Sequence, residues 1–312
     1  MRDIKLKKSN KYLLLLTMVI MVFTGLYYLA IYRAGYLFEE LVTSQSNGKL
    51  ELNVNKAEFN ILRLRFDFKN PEILTKDTTG SANTYAIQAD RIYINVNSLV
   101  SLYFAKHIVV DSVLIESPSI NLIRLKEGKQ KKISIPEELH KAYSALEKVL
   151  NVVNLNSIKI NNASFQFYKK TLKDPNPLKL SNVFLTIDQF SQEQKDTKNG
   201  FFYADRILLE IYNADISLGD GNKGVKFKRF WMGTKSQTVK LDSCYLYNYP
   251  NDSAGNHYEV FLDSIRIIKL DLNEFAQNNR LVFDSAYCIN PTVDLSLNIG
   301  KKSKNTIRFK KT

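Results

Sequence analysis

Apolar and polar residues alternate through most of the chain beyond residue 50, and a period of two predicts β-strands. Val54-Asn55-Lys56-Ala57-Glu58-Phe59 alternates, and so does Arg65-Phe66-Asp67-Phe68-Lys69. Ile92, Ile94 and Val96 fall on one face of a predicted strand, while Arg91, Tyr93 and Asn95 take the other. Ile158/Ile160, Phe165/Phe167 and Val183/Leu185/Ile187 repeat the pattern. Turn-forming residues separate the runs at Asn70-Pro71, Ser117-Pro118, Asp174-Pro175-Asn176-Pro177, Asn248–Ser253 and Asn290-Pro291. The pattern predicts a mainly β protein.

Two stretches break the period. From Tyr12 to Tyr32 run 21 uncharged residues, closed by Arg33. At about 1.5 Å rise per residue a helix there spans roughly 30 Å, the thickness of a bilayer's hydrocarbon core. Arg2, Lys5, Lys7, Lys8 and Lys11 precede it against the single acid Asp3, so positive charge holds the N-terminus on the cytoplasmic side. A cleavable signal peptide is the competing reading. Its apolar region is normally shorter, and Ala30-Ile31-Tyr32 is a poor cleavage site. The second break starts at Ile135-Pro136-Glu137-Glu138, with Ser134 as a cap. Leu139, Tyr143, Leu146, Leu150 and Val153 follow at helical spacing, predicting an amphipathic helix near 136–153.

An internal repeat runs through the strands. Ala89-Asp90-Arg91-Ile92 recurs as Ala204-Asp205-Arg206-Ile207 and more loosely as Leu262-Asp263-Ser264-Ile265. Asp-Ser pairs follow at Asp111, Asp242 and Asp284. Asp90 to Asp111 and Asp263 to Asp284 are both 21 residues, whereas Asp205 to Asp242 is 37. The extra residues fall in LGDGNKGVKFKRFWMG, where a loop or hairpin is tolerated. The unit reads as strand, connector, strand, repeated at least three times.

Charge changes this picture little once it is located. The net +13 is concentrated at the two ends, with Lys301, Lys302, Lys304, Arg308, Lys310 and Lys311 in the last thirteen residues. A basic end beside a membrane suggests anionic lipid before nucleic acid; a solvated tail is the plainer alternative. With 45% apolar and 12% aromatic residues the middle can bury a core. The resulting domains are a cytoplasmic basic segment 1–11, a transmembrane helix 12–32, a connector 33–49, an exported β-rich repeat domain 50–299 and a basic tail 300–312.

The order of these elements resembles the AsmA-like family of bacterial envelope proteins. The resemblance rests on the basic N-terminus and single apolar helix, then KAEFNILRLRFDFKNPEI, then YAIQADRIYINVNSLVSLYFAKHIVVDSVLIESPSINLIRLKEG. IPEELHKAYSALEKVL and LNSIKINNASFQFY continue it. It covers residues 10–170 well, and 180–300 mainly through the repeat; many members of that family are far longer. The resemblance implies an inner-membrane anchor, a periplasmic domain, and an elongated, repeat-built, twisted antiparallel sheet whose apolar groove conducts lipids. Roughly 14 strands would give a groove on the order of 65 Å. An ordinary sheet covered by a second sheet or by the helix would show the same alternation.

The sites expected on this reading are diffuse. Ile92, Ile94, Val96, Phe165, Phe167, Val183, Leu185 and Ile187 are candidates to face lipid. Lys228, Arg229, Lys301, Lys302, Lys310 and Lys311 are candidates for headgroup contact. No catalytic, cofactor or metal residues are expected. Gly219-Asp220-Gly221-Asn222-Lys223-Gly224 fits a dinucleotide loop only literally, because Val225–Trp231 alternates like a strand instead of opening a helix. His107, His140 and His257 are scattered. Cys244 and Cys288 share parity after their repeat aspartates, which puts both thiols on one sheet face, as a disulfide or as two buried thiols. The function expected is lipid binding or guidance in support of the envelope, without enzyme activity. The alternative is a membrane-tethered β-sandwich that binds another envelope protein. The partners expected are membrane lipids or such a protein, not nucleic acid.

Overall fold

The computed structural model describes residues 8–45, 50–75, 83–98, 108–124, 153–169, 178–190, 204–218, 222–249, 257–278, 280–298 and 304–309. Helix α1 (Lys8–Gln45) takes in the apolar run and continues past Tyr32. The expected connector 33–49 is therefore helical as far as Gln45. Residues 36–45 (YLFEELVTSQ) hold no Gly or Pro to stop the helix. Side chains at 8–15 and at several later positions of α1 lie outside the described residues. Among the described ones, no helix is long and apolar enough to cross a membrane.

Fifteen strands follow: β1 (Leu50–Asn60), β2 (Arg65–Thr75), β3 (Asn83–Gln88), β4 (Arg91–Val96), β5 (Ile108–Glu116), β6 (Ser119–Arg124), β7 (Val153–Lys169), β8 (Leu178–Phe190), β9 (Ala204–Leu218), β10 (Lys223–Gly233), β11 (Thr238–Asn248), β12 (His257–Ile268), β13 (Ser285–Ile289), β14 (Thr292–Asn298) and β15 (Lys304–Phe309). A short helix α2 (Leu272–Asn278) lies between β12 and β13. Asp271 caps it, its Oδ1 accepting from the backbone N–H groups of Asn273 and Glu274, both at 3.0 Å.

All fifteen strands belong to one sheet. β3 and β4 run end to end as a single rank beside β2, and so do β5 and β6 beside β7, and β13 and β14 beside β12. Fifteen strands thus make twelve ranks, which at about 4.8 Å apart span roughly 53 Å, shorter than the 65 Å expected from about 14 strands side by side. Pairing is antiparallel except where β7 runs parallel to β5 and β6. A parallel return needs a crossover of a dozen residues or more, commonly a helix. The amphipathic helix expected near 136–153 falls in that connection, outside the described residues except for Val153. Val153 is the first residue of β7 and is a strand residue, not a helical one. The segment read as a basic tail also differs, since Lys304–Phe309 forms β15 beside β14 with Arg308 opposite Asp294.

A line of left-handed residues crosses the sheet. Asn70, Ser117, Asn162, Asn182, Asn213, Ser243 and Asn290 have φ of 47°, 50°, 53°, 54°, 54°, 52° and 49°. They are neighbours across strands. Asn70 N–H donates to the Asp90 carbonyl at 3.0 Å, Asp90 N–H to Glu116 at 3.1 Å, and Ser117 N–H to Asn161 at 2.9 Å. Further on, Lys228 falls between Asn213 and Ser243, because Phe227↔Ala214 and Arg229↔Tyr212, with Lys226↔Tyr245 and Arg229↔Asp242, keep one register either side. Asn and Ser tolerate this conformation better than branched residues do, so the crease is built without glycine. The gaps between β3 and β4, β5 and β6, and β13 and β14 lie on the same line.

The crease also orders the repeat. Asp90 lies opposite Ser117 and Asp263 opposite Asn290, both 27 residues apart and both next to a proline. Asp205, at the start of β9, is off the crease, and β10 is the additional strand of the middle copy.

Candidate functional site

Register alone assembles an apolar row. Ala57, Phe68, Ile92, Ile115, Ile160, Leu185, Leu209, Met232, Val239, Ile267 and Ala286 are successive cross-strand partners through eleven ranks. A second row beside it runs Phe59, Phe66, Ile94, Val113, Ile158, Ile187 and Ile207. Each strand's alternation is thus in phase with its neighbours', and the whole set lines one face.

Beyond the crease the apolar residues change parity. Ile73, Ile87, Ile120, Phe165 and Leu180 partner one another on one side of the sheet. Ile216, Val225, Leu246, Val260 and Val293 do so on the other. A left-handed residue inserted in a strand reverses its alternation, so the change of parity keeps these residues on the first face. Contacts across the crease agree. Val54 and Ala57, three residues apart, both pack against the Phe59–Phe66–Phe68 cluster, and the Phe227 and Phe230 rings lie 6.3 Å apart.

The face is covered unevenly. At the β1–β2 end Phe66, Phe68, Ile94 and Val96 are buried, and Tyr27 and Ile31 of α1 pack against them. Leu272 of α2 packs against buried Ala204 and Ile207. Ile115, Ile160, Leu185, Leu209 and Met232 are only half-buried, and Ala286 and Cys288 at the far rank are exposed. The strip is thus closed at the β1–β2 end and at Val239 on β11, half-buried between them, and exposed at β13.

The expected lipid-facing residues divide accordingly. Ile92, Leu185 and Ile187 are half-buried in these rows, Val183 flanks them opposite Ile211, and Phe165 lies beyond the crease. Ile94 and Val96 belong to the closed end, filled by core and helix. Phe167 belongs to β7 by its backbone, but its side chain lies outside the described residues. The eight expected residues sample a surface that sequence reasoning underestimated. Its continuation through Leu209, Met232, Val239 and Ile267 required the register.

The opposite face is polar, and several of its charges are paired within it. Arg206 pairs with Asp188, Lys226 with Asp215 at 2.8 Å and Lys240 with Asp242 at 2.8 Å. Arg229 belongs here: it reaches Glu210 at 2.5 Å and lies 5.7 Å from the centre of the Tyr212 ring. A headgroup contact there would have to share the guanidinium with that carboxylate. Lys228 is exposed on the crease; Lys301, Lys302, Lys310 and Lys311 lie outside the described residues.

Further along, Tyr245 and Tyr249 share a hydroxyl contact of 2.7 Å, and Tyr249 donates to Glu259 at 2.6 Å. That bond to a carboxylate holds the Tyr249 phenol well above its ordinary pKa. Glu58 is pulled the other way. Hydrogen bonds from Lys56 and then Lys69 lower its pKa to about 2.

The cysteines are free, with Cys244 buried and Cys288 exposed, so two buried thiols is corrected at Cys288. β11 and β13 flank β12 and are therefore about 9.6 Å apart, beyond disulfide reach. Among the described residues no group of His, Cys, Asp or Glu could hold a metal ion. No protein-family model matches the chain, and no curated protein matches it in sequence.

Proposed function

We propose that this chain is a membrane-anchored envelope protein that binds or guides lipid acyl chains along the apolar face of its sheet. The observation that carries the reading is the row from Ala57 to Ala286, apolar at every one of eleven ranks and half-buried through its middle. A half-covered apolar strip of this length invites a further cover, and an acyl chain is a natural one. Tyr27 and Ile31, late in the apolar run of α1, pack on the closed start of the strip and tie the sheet to the helix, so lipid would reach the half-buried middle from the side.

On this reading Tyr12–Tyr32 spans the inner membrane with the basic N-terminus in the cytoplasm. The sheet stands in the periplasm, and the activity supports envelope integrity without catalysis. The resemblance to AsmA-like proteins is in keeping with this. The test is lipid analysis of the full chain extracted in mild detergent. Phospholipid should co-purify in a fixed ratio, and Leu185→Glu with Leu209→Glu should remove it. A lipid-free protein would overturn the reading.

A partner-binding module has one observation in its favour. Leu281, Val282, Phe283, Tyr287 and Ile289 are exposed on and beside β13, and such an edge can add a strand. A stoichiometric protein partner with no bound lipid would favour that class.

A further inference from the structure

On the polar face, β10 to β13 set Trp231, Lys240, Arg266 and Tyr287 in one lateral line. Trp231 is opposite Lys240, Lys240 opposite Arg266, and Arg266 opposite Tyr287. Two cations directly opposed across neighbouring strands destabilise a sheet unless an anion relieves them. The carboxylates nearby are already engaged, Asp242 with Lys240 at 2.8 Å and Glu210 with Arg229 at 2.5 Å. Arg266 has no carboxylate partner among the described residues. The Nε of Arg229 is buried without a hydrogen-bond acceptor, an unmet donor at the same place. Arg229, Trp231, Lys240 and Arg266 line a shallow, open recess of about 380 Å³, with Thr238 and Ile268 at its edge.

We propose that this recess binds a phosphate-bearing group. Arg266, without a carboxylate of its own among the described residues, supplies a planar fork that matches two phosphate oxygens, and Lys240, held beside it by Asp242, is a second donor. Trp231 and Tyr287 close the two ends of the cation pair and offer apolar surface to whatever the phosphate is attached to. A bound phosphate compensates the charge of Arg266, which Asp242 does not, so occupancy stabilises the fold. A soluble phosphoester and an anionic lipid headgroup present the same chemistry. The recess lies on the face opposite the apolar row, so the proposal does not depend on lipid binding there.

Trp231 is the sole tryptophan, and its fluorescence therefore reports on the recess directly. The full chain in detergent micelles is titrated with inorganic phosphate and with glycerol phosphate, at ionic strength held constant with chloride. It is then reconstituted in phosphatidylcholine vesicles with and without phosphatidylglycerol. The expected result is a saturable change that chloride does not produce. Arg266→Gln should weaken half-saturation at least tenfold and should melt no lower than the wild type in chloride. Lys240→Gln gives a second measure if that variant misfolds. A response to the soluble phosphates identifies a free phosphoester, and a response only to phosphatidylglycerol identifies a headgroup. No saturable response to either, or equal responses in wild type and variants, would overturn the proposal.

Discussion

Asn290 donates its side-chain amide to Asp263 Oδ2 at 2.7 Å, joining β12 to the rank of β13 and β14 where the crease reaches that rank. The two residues do different work. Asn290 takes the left-handed conformation, φ 49°, and Asp263 anchors it from an ordinary strand position.

Replacing Asn290 with Ala should therefore cost about 2 kcal/mol, from the lost side-chain hydrogen bond and because alanine tolerates the left-handed region less well than asparagine. Asn290→Gly keeps the conformation and should lose about half of that. Denaturant unfolding of the two variants decides. Equal losses would mean the backbone conformation contributes nothing.

Gly224 is packed from both sides. A Cβ there would meet the Ile216 carbonyl oxygen at 2.4 Å and the Tyr247 hydroxyl at 2.6 Å. Gly224→Ala should destabilise by about 2 kcal/mol through overpacking. Gly224→Ala combined with Tyr247→Phe relieves only the hydroxyl contact and should stay below the wild type. Full recovery in the double variant would show that the carbonyl contact is immaterial.

Much of this was legible in the residues, and the remainder has physical reasons. Alternation located the strands around Ile92, Ile158 and Val183, because a face that is half-buried must repeat every two residues. Val225–Trp231 read correctly as a strand, which turned a glycine-rich motif into a hairpin. The crease was missed although Asn162, Asn182 and Asn213 stand within otherwise regular strands. Asparagine in such a place is a signal for left-handed backbone, but it is as often only an exposed polar residue. Cross-strand register carries no local signal, and the eleven-rank row, the neutralised Arg229 and the opposed Lys240 and Arg266 all depend on it. β15 was hidden by its basic residues Lys304 and Arg308 and by the lysines on either side, which masked a short alternation as a tail.

Glu58 gives the fold a pH dependence. Lys56 and Lys69 are cross-strand partners, and Glu58 bonds both, at 2.6 and 3.0 Å. Its pKa is lowered in the folded chain, so its contribution is complete above the ordinary glutamate pKa, about 4.3. The contribution is lost as pH falls through about 2. The stability difference between wild type and Glu58→Gln should be constant above pH 5 and vanish near pH 2. A difference that grows on acidification would contradict the assignment.

The thiols should separate by reactivity. Burial pushes the Cys244 thiol above its ordinary pKa, with Cys288 adding to the effect. An alkylating reagent on the native chain should modify Cys288 alone, and Cys244 only after unfolding. Equal labelling of both under native conditions would place Cys244 at the surface.

The most direct test of the lipid-binding account is photocrosslinking along β9 in intact membranes, one position at a time from Leu208 to Ile216. Leu209 and Ile211 should give lipid adducts, and Leu208, Glu210 and Tyr212 should not, although Leu208 is equally apolar. Past Asn213 the parity should switch, with adducts at the half-buried Ile216 and none at Asp215. Adducts without this alternation, or none at any position, would contradict the claim that lipid lies on this face.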